Sequence, residues 1–259
     1  MEIIGYVLSI GVGIILGLLG GGGSILTIPI LVYFFKVDAV LASAYSLFIV
    51  GVTSFIGAVP KYKDHLVSVK AGLLFGIPSI LSIFTTRKWI IPAIPDIILQ
   101  WHSIVITKRF LVLGLFALLM IITAISMISG RKSKAVIQQE PKITLAIVEG
   151  ILIGFLTGMV GAGGGFLIIP ALIFLTGLPF KTAVGTSLFV IAINALTGFI
   201  GDVLNYDMNW PFLFSLTTLA TVGIFIGNRL NHKISSVNLR KFFGWFVLVV
   251  ALGIFFREI

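Results

Sequence analysis

The sequence predicts an all-α polytopic membrane protein made of two pseudo-symmetric, inverted repeats of about four membrane segments, each repeat opening with a glycine-broken or re-entrant helix pair. Three observations predict it. Of 259 residues, 58% are hydrophobic and only 10% charged, and the mean hydropathy of +1.18 lies far above that of a soluble globular chain. Apolar stretches near the length of roughly 18 residues that spans a hydrocarbon core recur along the chain. The chain also matches itself: displaced by 141 residues, it gives 14 identities without a gap over the 45 positions from residue 13 to residue 57. A duplication with helix breakers at corresponding places in two apolar halves is the sequence pointer to a transporter binding site.

Along the chain, the first element is the broken apolar stretch at residues 3–35, interrupted by Gly20, Gly21, Gly22 and Gly23 and followed by Ile28-Pro29. Four adjacent glycines cannot continue a stable helix, since each costs roughly 1 kcal/mol relative to alanine. The stretch lacks a basic leading region and has a repeat partner in mid-chain, so it is expected to belong to the fold and not to be a removable signal. Residues 39–60, 68–86 and 108–129 read as crossings. Between the last two, Trp89 to Lys108 carries Pro92, Pro95, Asp96, Trp101 and His102 among aliphatics and reads as interfacial. The polar run 130–142, with Arg131, Lys132, Lys134 and Pro141, reads as the linker between a first repeat, 1–129, and a second, 143–259. There the pattern recurs: a broken stretch at 143–177 with Gly163, Gly164 and Gly165 before Ile169-Pro170, then crossings near 180–201, 209–228 and 241–256.

Charge arbitrates the topology. If each broken stretch crosses once, the 18 basic residues divide 10 to 8 between the faces; if each returns to its own side, they divide 12 to 6. The second division suits the positive-inside rule, puts both termini outside and makes the halves inverted, a symmetry from which alternating access follows. Ile3 to Leu19 is long for a half-helix, so a single crossing stays open. The net charge of +9 sits in short loops at membrane ends, which points to anionic lipid and not to nucleic acid. With no cysteine, and His65, His102 and His232 scattered, no metal site or cofactor is expected. No nucleophile, base and orienter set is visible, so an enzyme is not expected.

Non-helical backbone at membrane depth is tolerated where it is buried in protein or lines a wet cavity. Gly21, Gly22, Gly23 and Ser24 in one copy, and Gly163, Gly164 and Gly165 in the other, are therefore expected to line a substrate site. Their backbone N–H groups open the following half-helices and suit an anion. Close helix packing is the competing explanation, and it is accepted for the spaced pairs Gly13/Gly17 and Gly154/Gly158. Tyr45-Ser46 and Thr186-Ser187 place hydroxyls at matching depth after each run, and Asn194 lies about two turns beyond the second pair; such groups either bind substrate or bond their own helices. Glu149 is the one carboxylate well inside an apolar segment and is the candidate for proton coupling, unless it reaches the interface. Arg87 and Arg229 end the third helix of each half and read as topological anchors, the alternative being that they attract the anion at a vestibule.

These residues resemble the TauE/SafE family of membrane transporters, the sulfite exporter and sulfonate permease group. The resemblance lies in Gly158-Met-Val-Gly-Ala-Gly-Gly-Gly-Phe-Leu-Ile-Ile-Pro170, in Lys181-Thr-Ala-Val-Gly-Thr-Ser187 and in Asn194, with a weaker first copy at Gly17–Pro29 and Ala44-Tyr45-Ser46. In the first copy Ala44-Tyr45 stands where the family commonly has glycine-threonine, and Phe84 to Arg87 replaces a small-residue helix end. The resemblance implies a proton-driven secondary transporter of sulfite, sulfonates or related anions in the cytoplasmic (inner) membrane, working as a monomer or homodimer. A passive anion channel and a non-transporting membrane scaffold are the alternatives. With the stronger polar set in repeat two, the anion is expected nearer that loop.

Overall fold

A computed structural model describes residues 2–21, 23–101, 104–129, 143–161, 163–176, 178–231 and 236–258. The expected linker at 130–142, together with Gly22, His102 and His232, lies outside the described residues. The first repeat contains α1 (Glu2–Leu19), α2 (Ser24–Pro29, continued by a π-helical segment Ile30–Phe34), α3 (Ala39–Lys63) and α4 (Val69–Thr85, continued by a π-helical segment Thr86–Ile90). It closes with α5 (Ile91–Ala93), β1 (Ile97–Trp101), β2 (Ile104–Thr107) and α6 (Lys108–Ile128). The second contains α7 (Ile143–Val160), α8 (Gly165–Thr176), α9 (Phe180–Val203), α10 (Trp210–Asn231) and α11 (Ser236–Glu258). Five helices among the described residues are long and apolar enough to cross a membrane: Ala39–Lys63, Val69–Ala93, Lys108–Ile125, Lys181–Val203 and Trp210–Asn231. Large apolar side chains such as Phe55, Leu81, Phe214, Trp245 and Phe256 are exposed on the outside, as a lipid-facing surface requires.

The segment expected to be interfacial departs from an all-α reading. The helix ends at Ala93, Ile94 being extended before Pro95, and Ile97–Trp101 pairs antiparallel with Ile104–Thr107 in a small hairpin, Leu99 opposite Ile106 and Trp101 opposite Ile104. Both strands are rich in β-branched and aromatic residues, which fit a pleated surface better than a helix.

The glycine breaks form as the sequence predicts. Gly20 and its counterpart Gly161 adopt φ of +76° and +78°, and Gly163 and Gly164 follow at +64° and +68°, a left-handed backbone that side chains rarely adopt. The chain then doubles back. Phe35, just after α2, meets the Tyr6 ring edge-on at 5.1 Å near the start of α1. Thus α2 returns toward the end at which α1 began.

Small residues set the helix pairs. Gly13 and Gly17 of α1 lie against Gly223 and Gly227 of α10, the two helices running parallel, and a Cβ at Gly13 would come within 3.0 Å of backbone atoms of Ala220 and Ile224. The reciprocal pair joins α7 to α4, with Gly150, Gly154 and Gly158 against Phe75, Ser79 and Thr86. Each repeat's opening helix therefore packs on the fourth helix of the other. Such seams replace the hydrophobic drive that lipid removes, letting backbones approach for van der Waals contact. Between them α3 and α9 run antiparallel, Leu47 beside Gly198, Gly51 beside Leu196 and Gly57 beside Leu188. Leu47, Val50, Leu188, Ile191 and Ala195 are buried in this central pair.

Candidate functional site

The two glycine loops meet backbone to backbone. A Cβ on Gly21 would fall 2.7 Å from the Gly165 Cα, and one on Gly165 would fall 2.5 Å from the Gly21 Cα, so only glycine at both places permits the contact. Because α3 and α9 are antiparallel, each repeat's loop is served by the other repeat's helix. Ser187 on α9 donates to Val184 O at 2.8 Å within its own helix, and its hydroxyl also lies 3.4 Å from Gly20 O. Ser43 on α3 lies against Gly161.

The sequence-predicted residues divide between these loops and their surroundings. Gly23 packs on the backbone of Val12 and Leu16, Gly163 against Val50 and Ile191, and Gly164 against Thr157. The Ser24 hydroxyl donates to Gly21 O at 2.7 Å, bracing the first loop from within. Ser46 is wholly buried, and its hydroxyl has no hydrogen-bond partner among the described residues. Asn194 is equally buried; its Nδ2 donates to Ser79 Oγ on α4 at 2.6 Å, and its Oδ1 has no such partner. Tyr45 and Thr186 take another part. The Tyr45 hydroxyl accepts the N–H of Asn209 at 3.0 Å, and Thr186 Oγ1 accepts that of Ser68 at 2.9 Å. Asn209 and Ser68 cap α10 and α4, their side chains accepting from Phe212 N and Ala71 N. This repeated clamp ties the start of each fourth helix to the central pair. Glu149 is half-buried on α7, about 18 Å of helix rise before Gly161, and the structure does not bring it to the loops.

A buried charge cluster escaped the sequence reading. Arg87 is not an anchor with its head in water: it is 0% exposed, in the π-helical segment after α4. Its Nη1 donates to Ser43 Oγ at 2.8 Å and lies 3.2 Å from Oδ2 of Asp202, also 0% exposed, at the end of α9. Its Nη2 abuts Gly161, whose missing side chain makes room for the guanidinium. Arg229 is exposed, as expected of an anchor. Lys61, 2% exposed, donates to Asn231 Oδ1 at 2.9 Å, and Asn231 Nδ2 donates to Leu18 O, at the end of α1. The 141-residue displacement marks the central-helix members of the two clusters, because it lays Lys61 on Asp202, but it lays Asn231 on Ile90 and gives no sign of that partner. Each end of the α3–α9 pair thus carries a buried polar lock between a central helix and the fourth helix of the other repeat. Nearby, burial and then the Asp202 carboxylate raise the Tyr206 phenol above its ordinary pKa.

Cavities among the described residues flank the central pair. One of about 340 Å³ is lined by Tyr6, Phe35, Lys36, Asp38, Tyr45 and Asn209. Another of about 500 Å³ lies between α3 and α10, with Lys63 and Arg229 at its rim. These two cations are at one end of the molecule.

A family model described as "Sulfite exporter TauE/SafE" matches residues 6–254. A probable membrane transporter protein of Xylella fastidiosa (strain Temecula1) is 30% identical over 272 residues, covering 100% of this chain and 98% of its own. A probable membrane transporter protein of Methanocaldococcus jannaschii is 29% identical, covering 90% of this chain and 89% of its own. One of Bacillus subtilis is 26% identical, covering 89% and 90%. No solved structure matches the chain.

Proposed function

The chain belongs to the sulfite exporter TauE/SafE family of membrane transporters, and from that premise we propose that it is a proton-coupled secondary transporter of small sulfur-containing oxyanions in the cytoplasmic membrane. The observation that carries the reading is the contact between the two glycine loops, Gly21 on Gly165, with Ser187 beside Gly20 and Ser43 beside Gly161. Loop N–H groups and the Ser46 hydroxyl, which has no partner among the described residues, supply neutral donors suited to an oxyanion, and Ser187 joins them when its hydroxyl turns away from Val184 O. Antiparallel α3 and α9 and the reciprocal seams support a pair of inverted halves, which rock about the loops to expose the anion to each side in turn. Breaking the loop contact on one side opens a path to the anion while the opposite lock holds.

The test uses purified protein in liposomes. Gly164→Leu, which drives a side chain into Thr157, and Ser187→Ala should each abolish sulfite uptake while leaving folded protein. Unchanged flux in both variants would sink the loop site. Flux indifferent to an imposed pH gradient, with unit currents, would make the protein a channel.

A further inference from the structure

We propose that the free edge of Arg87 is the recognition fork for the transported oxyanion, and that Asp202 takes up the proton that travels with it. The inference rests on the anion-transport reading above. A guanidinium carries its N–H donors in a rigid planar fork. Here Nη1 is spent on Ser43 and Asp202, whereas Nε and Nη2, fully buried, have no hydrogen-bond partner among the described residues. Those two nitrogens point their N–H bonds in parallel along one edge, the geometry that two oxygens of a sulfonate, sulfite or carboxylate satisfy together and a halide does not. The edge abuts Gly161, the first residue of the second loop. One turn along α3 from Ser43, the Ser46 hydroxyl is also buried without a partner.

Charge balance brings in the proton. Arg87 and Asp202 together are neutral, so a bound monoanion leaves one uncompensated negative charge in a buried site, which is strongly disfavoured. A proton added to a carboxylate oxygen of Asp202 restores neutrality, and nothing is oxidised or reduced; release of the anion returns it. The other charged or titratable groups at this end are Tyr206 and Asp207 from the α9–α10 loop, Lys36 and Asp38 before α3, Lys88 next to Arg87, and Asp96 with Lys108 and Arg109 at the start of α6. From Gly150 to Val160, α7 carries no titratable residue. Of these carboxylates Asp202 is the one that is wholly buried and shares the guanidinium. Because Arg87 aligns with Asn228, only one half carries a fork.

The full-length protein in liposomes containing a pH dye tests this, with radiolabelled sulfite and methanesulfonate as probes and chloride as control. A sulfonate stays ionised throughout, so its own titration does not intrude. Wild type should acidify the interior as either oxyanion enters. Arg87→Lys keeps the charge but not the fork and should weaken apparent oxyanion affinity at least about tenfold. Asp202→Asn should carry methanesulfonate without acidification. The double variant Arg87→Gln/Asp202→Asn leaves no lone buried charge and should stay folded by thermal scan yet show no saturable uptake. Wild-type affinity in Arg87→Lys, saturable uptake at wild-type affinity by the folded double variant, or proton entry persisting in Asp202→Asn would overturn the inference. Failure of wild type to take up either oxyanion would instead sink the transport reading on which it rests.

Discussion

Replacing Gly13 by alanine tests the helix seams directly, because Gly11, two residues away on the same helix, supplies its own control. Both changes remove the same conformational freedom, worth roughly 0.5–1 kcal/mol in favour of alanine inside a helix. At Gly11 a Cβ meets nothing within 4 Å, so Gly11→Ala should stabilise by about that amount. At Gly13 the same atom lies 2.8 Å from the Ala220 carbonyl carbon and 2.9 Å from the Ile224 nitrogen, with the Ala220 oxygen closer still. These are backbone atoms, which cannot swing aside as a side-chain tip can. The parallel helices α1 and α10 must separate, and overpacking of this kind costs about 1–3 kcal/mol. Separation also loosens Gly17 against Asn228 and Gly227, so the upper part of that range is expected, less the propensity gain. The net expectation is about 1–2 kcal/mol of destabilisation at Gly13 against a small gain at Gly11. Thermal unfolding of the purified protein in one detergent, with both variants scanned beside wild type, reads the difference. Equal stability of the two variants would refute the reasoning, since it would mean that α1 and α10 do not meet at these glycines.

The reciprocal seam should respond alike: Gly154→Ala, whose Cβ would press on the Ser79 backbone, should lower the unfolding temperature as Gly13→Ala does. Arg87→Gln alone leaves Asp202 buried without its cation and should cost about 3–5 kcal/mol; adding Asp202→Asn should recover much of it in the same thermal scan. Tyr45→Phe and Thr186→Val each strand a capping N–H, of Asn209 and Ser68 respectively. Each should cost about 1–3 kcal/mol in thermal unfolding while the sulfite affinity of the folded fraction stays near that of wild type.

Reading residues against their repeat partners explains where sequence reasoning reached and where it stopped. The glycine runs were legible because four adjacent residues without side chains have one structural consequence, a broken helix, whatever surrounds them. Five of the six expected crossings were legible because lipid demands uninterrupted apolar length; the sixth, 241–256, is not among the helices long and apolar enough to cross within the described residues. Arg87 reads as an anchor in the sequence because a cation directly after the apolar stretch 68–86 looks the same whether its head reaches water or turns inward to Asp202. Tyr45 and Thr186 were read toward an anion because a hydroxyl at membrane depth announces only that it needs a partner; their acceptance of the Asn209 and Ser68 N–H groups depends on how α10 and α4 start, far away in the chain. The hairpin at Ile97–Thr107 hid within an aliphatic run whose length suited neither a crossing nor an obvious strand pair.

By itself the sequence determined that this is a multi-pass helical membrane protein, that it matches itself at a displacement of 141 residues, and that each matching stretch breaks at a glycine run. These follow from hydropathy and backbone sterics, which are local. Tertiary structure alone decided that the halves exchange partners, α1 on α10 and α7 on α4, so that Ser187 serves Gly20 and Ser43 serves Gly161. It also brought Arg87 to Asp202 across 115 residues. Such pairings are set by which small-residue stripes fit closely and by the need of a buried charge for its opposite, and both depend on packing that no single stretch of sequence contains.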